Sequence, residues 1–234
     1  MQPTDNNVPR HLGIILDGNR RFAKRLMLKP WKGHEWGYEK VKSVLEWCKE
    51  YNIREVTLYS FSIENFDRPK EEFNYLMEIF KKACTHFKND PNGKNMKIHF
   101  VGRIAMFPQD VQDAMHDLME ATKHNSPYIL NLAMAYGGRA EIIDATKKIA
   151  QEIKEGKLNV DQINEDLFAQ HLYLNSDPDL IIRTSGEQRL SGFLLYQGSY
   201  AEIAFVEKLW PEFEKKDFLK CLDHYAHSER RFGK

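Results

Sequence analysis

The chain reads as an α/β protein, a single domain spanning residues 1–234, in which a mainly parallel β-sheet is covered by helices on both faces. Three observations predict this. Short apolar runs of strand length recur along the chain, stretches with helical periodicity lie between them, and polar turns follow several of the runs. Strands that alternate with helices are joined by crossovers, and a sheet built that way is buried on both faces. With 234 residues, 42% hydrophobic and 12% aromatic, the chain has enough apolar material for one well-buried domain. No repeat, low-complexity stretch or long linker divides it.

The first element is the run His11-Leu12-Gly13-Ile14-Ile15-Leu16, which ends at Asp17-Gly18-Asn19 and reads as a buried strand feeding a turn. Arg20 to Leu26 then forms the first turns of a helix. A second helix is predicted from about Trp36 to Tyr51, because Val41, Val44, Leu45 and Cys48 fall on one face. Glu55 to Phe61 is the next strand. Pro69 opens a third helix, where its missing N–H costs nothing, and Phe73, Leu76, Met77, Phe80 and Phe87 form its apolar stripe. Met96 to Val101, Ile129 to Ala135 and Leu180 to Arg183 read as further strands. They alternate with helices at Val111 to Lys123 and Ala140 to Glu155.

Charge and cysteine usage bound the partners. Lys plus Arg and Asp plus Glu number 34 each, so the chain is formally neutral. A neutral chain offers no bulk attraction for nucleic acid or for an anionic membrane, and any bound anion must be caught by a local cluster. Cys48, Cys84 and Cys221 are far apart and odd in number, which argues against a disulfide framework and for a reducing cytoplasm. Met1 to Arg10 lacks the apolar centre of a signal peptide, and no apolar run approaches the ~20 residues that cross a bilayer. A soluble protein is expected.

In an open parallel sheet, ligands bind beyond the carboxyl ends of the strands, and three polar clusters are predicted there. Asp17-Gly18-Asn19-Arg20-Arg21 admits two readings. It is an ordinary strand–turn–helix with an aspartate cap, or an anion site in which backbone amides and arginines face phosphate and a hard cation sits between phosphate and Asp17. Ser62-Ile63-Glu64-Asn65-Phe66-Asp67-Arg68-Pro69 is a capped loop or a second set of donors. Arg183-Thr184-Ser185-Gly186-Glu187-Gln188-Arg189-Leu190-Ser191 presents two arginines with hydroxyls between them, and the planar guanidinium suits phosphate oxygens. His34, beside Gly33, follows the first cluster closely. The chain has no G-x-x-x-x-G-K-[ST] loop, no G-x-G-x-x-G turn and no H-E-x-x-H pair, which sets aside P-loop, dinucleotide and zinc-protease chemistry.

These three segments resemble the motifs of the cis-prenyltransferases. So do Gly33-His34, Asn131 to Gly138 with Arg139, Phe193 to Gln197, Tyr200-Ala201-Glu202 and the final Arg231-Phe232-Gly233. The likeness runs in order from His11 to the end of the chain. It implies a hydrophobic tunnel between helices and sheet, and condensation of isopentenyl diphosphate with an allylic prenyl diphosphate, farnesyl or geranylgeranyl, to give a long polyprenyl diphosphate. It also implies Mg²⁺ held by Asp17 and Glu202, the latter reaching across a homodimer, with Arg231 to Gly233 serving the partner's site. The allylic diphosphate falls to Gly18, Asn19, Arg20, Arg21 and His34, and Phe22 is a further substrate-binding residue. Isopentenyl diphosphate falls to Arg183, Arg189 and Ser191. Ser62, Glu64, Asn65, Phe66 and Arg68 complete the substrate set, with Asp17 and Asn65 as the catalytic pair. Transient membrane contact for product release, and no nucleic-acid partner, are expected.

The chain departs from the family pattern at Pro30, where arginine is common and where Lys29 and Lys32 are the nearby cations. Phe22, Phe66 and Tyr196 stand where tryptophan is frequent. The absence of a D-D-x-x-D motif favours the cis over the trans class. A non-catalytic partner subunit and a polyprenyl-binding carrier are the rival readings; Asp17 and the arginine clusters speak against both.

Overall fold

The apolar run at the start of the chain becomes β1 (His11–Ile15), an inner strand with every residue buried. The computed structural model describes residues 8–89 and 95–228, and five more strands complete one sheet. They are β2 (Glu55–Ser62), β3 (Met96–Val101), β4 (Tyr128–Tyr136), β5 (Leu180–Thr184) and β6 (Glu202–Val206). Their order is β3-β4-β2-β1-β5-β6, and every pairing is parallel. The sheet expected to be mainly parallel is wholly so among the described strands.

Among the described residues seven helices cover it: α1 (Asn19–Arg25), α2 (Gly33–Glu50), α3 (Lys70–Asn89), α4 (Gln109–Thr122), α5 (Gly138–Lys154), α6 (Glu165–His171) and α7 (Lys215–His227). The strand pleat sorts the core. Leu12 and Ile14 face Val44, Leu58, Leu76 and Trp210, while Ile15 packs with Ile181 and Phe193 on the other side. Gly13 shares that second face because a side chain there would press on Phe193 at 3.1 Å. No described helix is long and apolar enough to cross a membrane.

Chain order fixes the place of the site. From β1 the chain goes to β2 and the β3 edge, returns to β4, then crosses to the far side of β1 for β5 and β6. The direction therefore switches between β1 and β5, and a crevice at their carboxyl ends is where such sheets bind ligands. Ile15 of β1 stands beside Arg183 of β5 there. β2 bulges against β4 between Tyr59 and Ser62, which re-aims side chains near the same rim.

Two differences from the expected elements have simple causes. α2 starts at Gly33, not near Trp36, because a 3₁₀ turn at Pro30–Lys32 runs straight into it. β6 has no clear apolar alternation because it is an edge strand, with Phe205 40% exposed.

Candidate active site

Gly18 has φ of 112°, and a Cβ there would lie 2.9 Å from the Leu209 backbone, so only glycine allows the turn from β1 into α1. The turn is pinned to β5. The Asp17 N–H donates to Thr184 Oγ1 at 3.1 Å, and the Thr184 hydroxyl donates to the Asp17 carbonyl at 2.8 Å. Gly33 does the same for α2. A Cβ at that position would sit 1.9 Å from the Asn19 carbonyl oxygen, so glycine lets the start of α2 close on α1 and brings His34 to the rim.

Asp17, Gly18, Asn19, Arg20, Arg21, Lys24, His34 and Arg68 line a polar cup at this switch point. Arg183, whose side chain is 4% exposed, joins the first and third clusters. Its Nη2 donates to Asp17 Oδ2 at 2.9 Å, and its Nη1 donates to Ser191 Oγ at 2.7 Å and to the Arg189 carbonyl. Arg21 Nη2 lies 3.5 Å from Asp17 and its Nη1 lies 3.6 Å from Glu187, which also pairs with the exposed Arg189. Ser185 and Ser191 hold positive φ of 86° and 50° in this loop, a conformation that L-residues adopt at a cost and that clusters at functional sites. Burial raises the Asp17 carboxyl, but hydrogen bonding from Arg183 and Ser185 and the charges of Arg183 and Arg21 outweigh it and hold Asp17 below the usual carboxylate range.

A second group of basic side chains converges on Glu72, in the first turn of α3. Arg68 Nη1 donates to Glu72 Oε1 at 3.0 Å, with His34 Nε2 at 3.7 Å and Arg20 at 3.6 Å. Glu72 is fully buried and its Oε2 makes no hydrogen bond. Desolvation leads the lowering of the His34 pKa, and the Arg68 charge adds to it. His34 is thus a neutral imidazole whose Nε2 faces Arg68 Nη1 at 3.4 Å. The neighbouring His34 imidazole and the charges of Arg68 and Arg20 hold the Glu72 carboxyl below the usual carboxylate range.

The cup opens into an apolar cavity of about 180 Å³ between α2, α3 and the sheet, and Leu16, Asn19, His34 and Arg68 border both spaces. Val41, Leu76, Phe80 and Phe87 of the predicted stripes line it, with Ala83, Cys84, Phe100 and Leu132. Val44, Leu45 and Cys48 are in the core instead. A cavity of ~150 Å³ takes a benzene-sized group, so this space accepts an apolar group of at least that size.

The structure brings together Asp17, Gly18, Asn19, Arg20, Arg21, His34, Arg68 and Arg183, with Arg189 and Ser191 beside them and Asn65 lining the cavity. Other predicted residues lie elsewhere. Phe22 meets Trp36 edge-on at 5.7 Å between ring centres, outside the cup. Phe66 packs with Phe61, Phe73 and Phe107. Glu64 is exposed on the 3₁₀ turn, and Ser62 forms a capping box with Asn65, as a capped loop would. Glu202 begins β6 beside Leu180, at the amino end of the sheet and away from Asp17. Lys29 and Lys32 pair with Glu71 and Glu35, so the extra cation of the cup is Lys24. The Arg231 to Gly233 element lies outside the described residues.

Sequence reasoning missed Lys24, Glu72 and Glu187. Glu72 had a signal: it stands four residues after Arg68, at the spacing that pairs side chains on a helix, just behind Pro69.

A cup of cations that opens into an apolar cavity at the switch point of a parallel sheet defines a protein that holds an anionic head and an apolar tail together. The chain belongs to the undecaprenyl diphosphate synthase family, whose sequence profile matches residues 15–233. It is 44% identical over 231 residues to the tritrans,polycis-undecaprenyl-diphosphate synthase (geranylgeranyl-diphosphate specific) of Pyrococcus horikoshii, covering 97% of this chain and 88% of that one. The Methanopyrus kandleri protein of the same name is also 44% identical, over 98% of this chain and 86% of its own. A solved structure of lavandulyl diphosphate synthase from Lavandula x intermedia, in complex with dimethylallyl diphosphate, superposes with a TM-score of 0.92 at 33% identity, covering 98% of this chain and all of that one. The chain is a cis-prenyltransferase.

Proposed function

We propose that this cis-prenyltransferase extends geranylgeranyl diphosphate with isopentenyl diphosphate to a long polyprenyl diphosphate, the precursor of a glycosyl carrier lipid. The observation that carries this reading is the continuity of cup and cavity across Leu16, Asn19, His34 and Arg68. The relatives' names support the primer and the product class. The allylic diphosphate lies in the cup against Arg20, Arg21, His34 and Arg68, with its tail in the cavity. Arg183, Arg189 and Ser191 hold the isopentenyl diphosphate.

The donor set fits a hard divalent cation. Asp17 is an ionised oxygen donor at the edge of an anion cup, and Mg²⁺ is commonly held by one or two carboxylates plus substrate phosphates. When bound, Mg²⁺ would neutralise charge on the departing diphosphate. Within one chain Asp17 has no second carboxylate ligand of its own at Glu202, so Glu202 serves a site only across a homodimer.

The chain's residues act as the allylic C–O bond breaks. The oxygen leaves with the electron pair, and the fixed guanidinium groups of Arg20, Arg21 and Arg68 stabilise the diphosphate charge without reorganising. The double bond of isopentenyl diphosphate then attacks the allylic carbon, and a proton leaves the new chain to a diphosphate oxygen. Asn65, bound in its capping box, orients substrate rather than accepting that proton. The three buried free cysteines accord with a reducing, cytoplasmic setting.

The test is incorporation of radiolabelled isopentenyl diphosphate with geranylgeranyl or farnesyl diphosphate, with and without Mg²⁺, followed by reversed-phase chromatography. Mg²⁺-dependent products many isoprene units long, made faster from the geranylgeranyl primer, are expected. Incorporation unaffected by chelation would remove the metal role, and a single short product would remove the long-chain reading.

A further inference from the structure

The exposed large apolar residues of this chain mostly stand apart in sequence, as they do on ordinary surfaces. Leu26, Met27 and Leu28 do not. They are consecutive, 46%, 94% and 41% exposed, at the end of α1. The helix closes there in a Schellman motif: the Met27 N–H donates to the Lys24 carbonyl and the Leu28 N–H to the Ala23 carbonyl, both at 3.0 Å. Met27 holds φ of 56°, where glycine or asparagine would sit at less cost. A methionine is thus held in a disfavoured conformation with its side chain in water, and nothing in the fold uses it. Leu26 follows Phe22 by four residues, on the same helix face, and Phe22 meets the exposed Trp36, so the apolar surface continues toward α2.

The segment's own charge is one-sided. In the fold Arg20, Arg21, Arg25, Lys29 and Lys32 each face a carboxylate from elsewhere or from the next helix while staying exposed. From Asn19 to Gly33 the cations are Arg20, Arg21, Lys24, Arg25, Lys29 and Lys32, with no acidic residue, in a chain whose totals balance. The pairs of Arg25 with Glu212 and Lys29 with Glu71 are exposed at the cation, and such pairs hold their partners weakly. Apolar side chains at the tip of a basic segment match the chemistry of an anionic bilayer surface, where the tip enters the acyl boundary and the cations meet phosphates. A second copy of the chain fits poorly, because a shared patch would bring two cation clusters together.

We propose that the Leu26–Leu28 tip docks this protein on an anionic phospholipid bilayer. Lys24 lines the cup and lies two residues from the tip, so docking puts the cup mouth at the membrane surface. On the function proposed above, on which this use of the dock rests, a polyprenyl product then passes from cavity to bilayer without crossing water.

Co-sedimentation of the full chain with phosphatidylcholine vesicles, with and without phosphatidylglycerol, tests the dock. Binding is expected only with phosphatidylglycerol, and weaker at high salt. Met27→Asn should lower partitioning about tenfold while leaving the melting temperature equal or higher, because asparagine suits the backbone. Adding Leu28→Asn should bring the loss to roughly a hundredfold. Single-turnover condensation without vesicles should be unchanged by both substitutions. The proposal is overturned if the double variant binds vesicles like the wild type, if the wild type shows no phosphatidylglycerol-dependent binding, or if the substitutions abolish self-association instead. A wild type that binds vesicles but condenses nothing would remove the enzymatic reading and leave the dock standing.

Discussion

Glu72 and Glu141 both lie in the first turn of a helix, α3 and α5, and both are almost inaccessible to water. Their surroundings differ in kind. Glu141 is held by neutral donors: the Tyr173 N–H at 2.9 Å, the Leu174 N–H at 3.3 Å, Gln197 Nε2 at 3.0 Å and the Tyr136 hydroxyl. Burial dominates there and raises its carboxyl. Glu72 is held by three cationic or basic groups at the edge of a cavity, keeps one oxygen without a hydrogen bond and titrates low. A buried carboxylate among matched neutral donors ties segments together. One that gathers cations toward an open space organises a binding site. Burial alone does not separate the two; the charge of the partners does.

The largest effect is expected in the cup that the Glu72-bound cations line, at Asp17. Asp17→Asn keeps the shape of the side chain while removing its charge, and turnover should fall by about a hundredfold to a thousandfold with the circular dichroism spectrum unchanged. Alanine is the worse variant because it leaves the buried Arg183 Nη2 with no oxygen acceptor at this position, whereas asparagine keeps one. Retained activity in Asp17→Asn would end its metal-ligand role.

Next in size is the loss at the other glutamate. Glu141→Ala leaves the Tyr136 hydroxyl, Gln197 and two amides without their acceptor, and should cost ~2–4 kcal/mol in urea unfolding. Activity per folded molecule should be preserved, and a specific loss of turnover would erase the distinction between the two regions. Arg189→Ala should raise the KM for isopentenyl diphosphate roughly ten- to a hundredfold and that for the allylic primer much less, since one charged contact contributes ~1.5–3 kcal/mol. Glu72→Gln should weaken allylic diphosphate binding about tenfold, through Arg20 and Arg68, and leave the isopentenyl KM alone.

The smallest effect is a sign. Glu72 titrates lower in the folded chain, so its contribution is present above the unfolded carboxyl pKa and fades as pH falls through the folded value. Glu141 titrates higher, so its contribution is present below the unfolded pKa and fades as pH rises. As pH falls below about 5 the stability of wild type relative to Glu72→Gln should fall, with a plateau above, while between about pH 4 and pH 7 that relative to Glu141→Gln should fall as pH rises. Parallel slopes would show that the two carboxylates share one environment.

The sheet was legible because β1 and β5 are buried throughout and carry the apolar runs at residues 12–15 and 180–182, while β2 carries buried Val56, Leu58 and Phe61 between polar residues. Edge strand β6 and seven-residue α6 carry too little periodicity to stand out. In the site, Asp17, Arg20, Arg21 and Arg183 were legible because they follow strands whose carboxyl ends must meet. Phe22 and Phe66 were assigned to substrate from the family pattern, which marks where aromatics occur and not which way they face; here one meets Trp36 and the other joins the phenylalanine core. Lys24 and Glu187 matter through contacts across long sequence separations, which no local motif encodes.

The central claim is that cup and cavity form one site. Calorimetric titration with geranylgeranyl thiodiphosphate and with inorganic diphosphate, on wild type, Glu72→Gln and Ala83→Phe, tests it most directly. The prenylated ligand should bind far more tightly than the bare anion, because burial of each methylene-sized group contributes ~0.8 kcal/mol before ordering costs. Glu72→Gln should weaken both ligands by a similar factor, while Ala83→Phe, which fills the cavity wall, should weaken only the prenylated one. If the two ligands bind equally to wild type, or if Ala83→Phe changes neither, the apolar cavity does not hold the chain and the account fails.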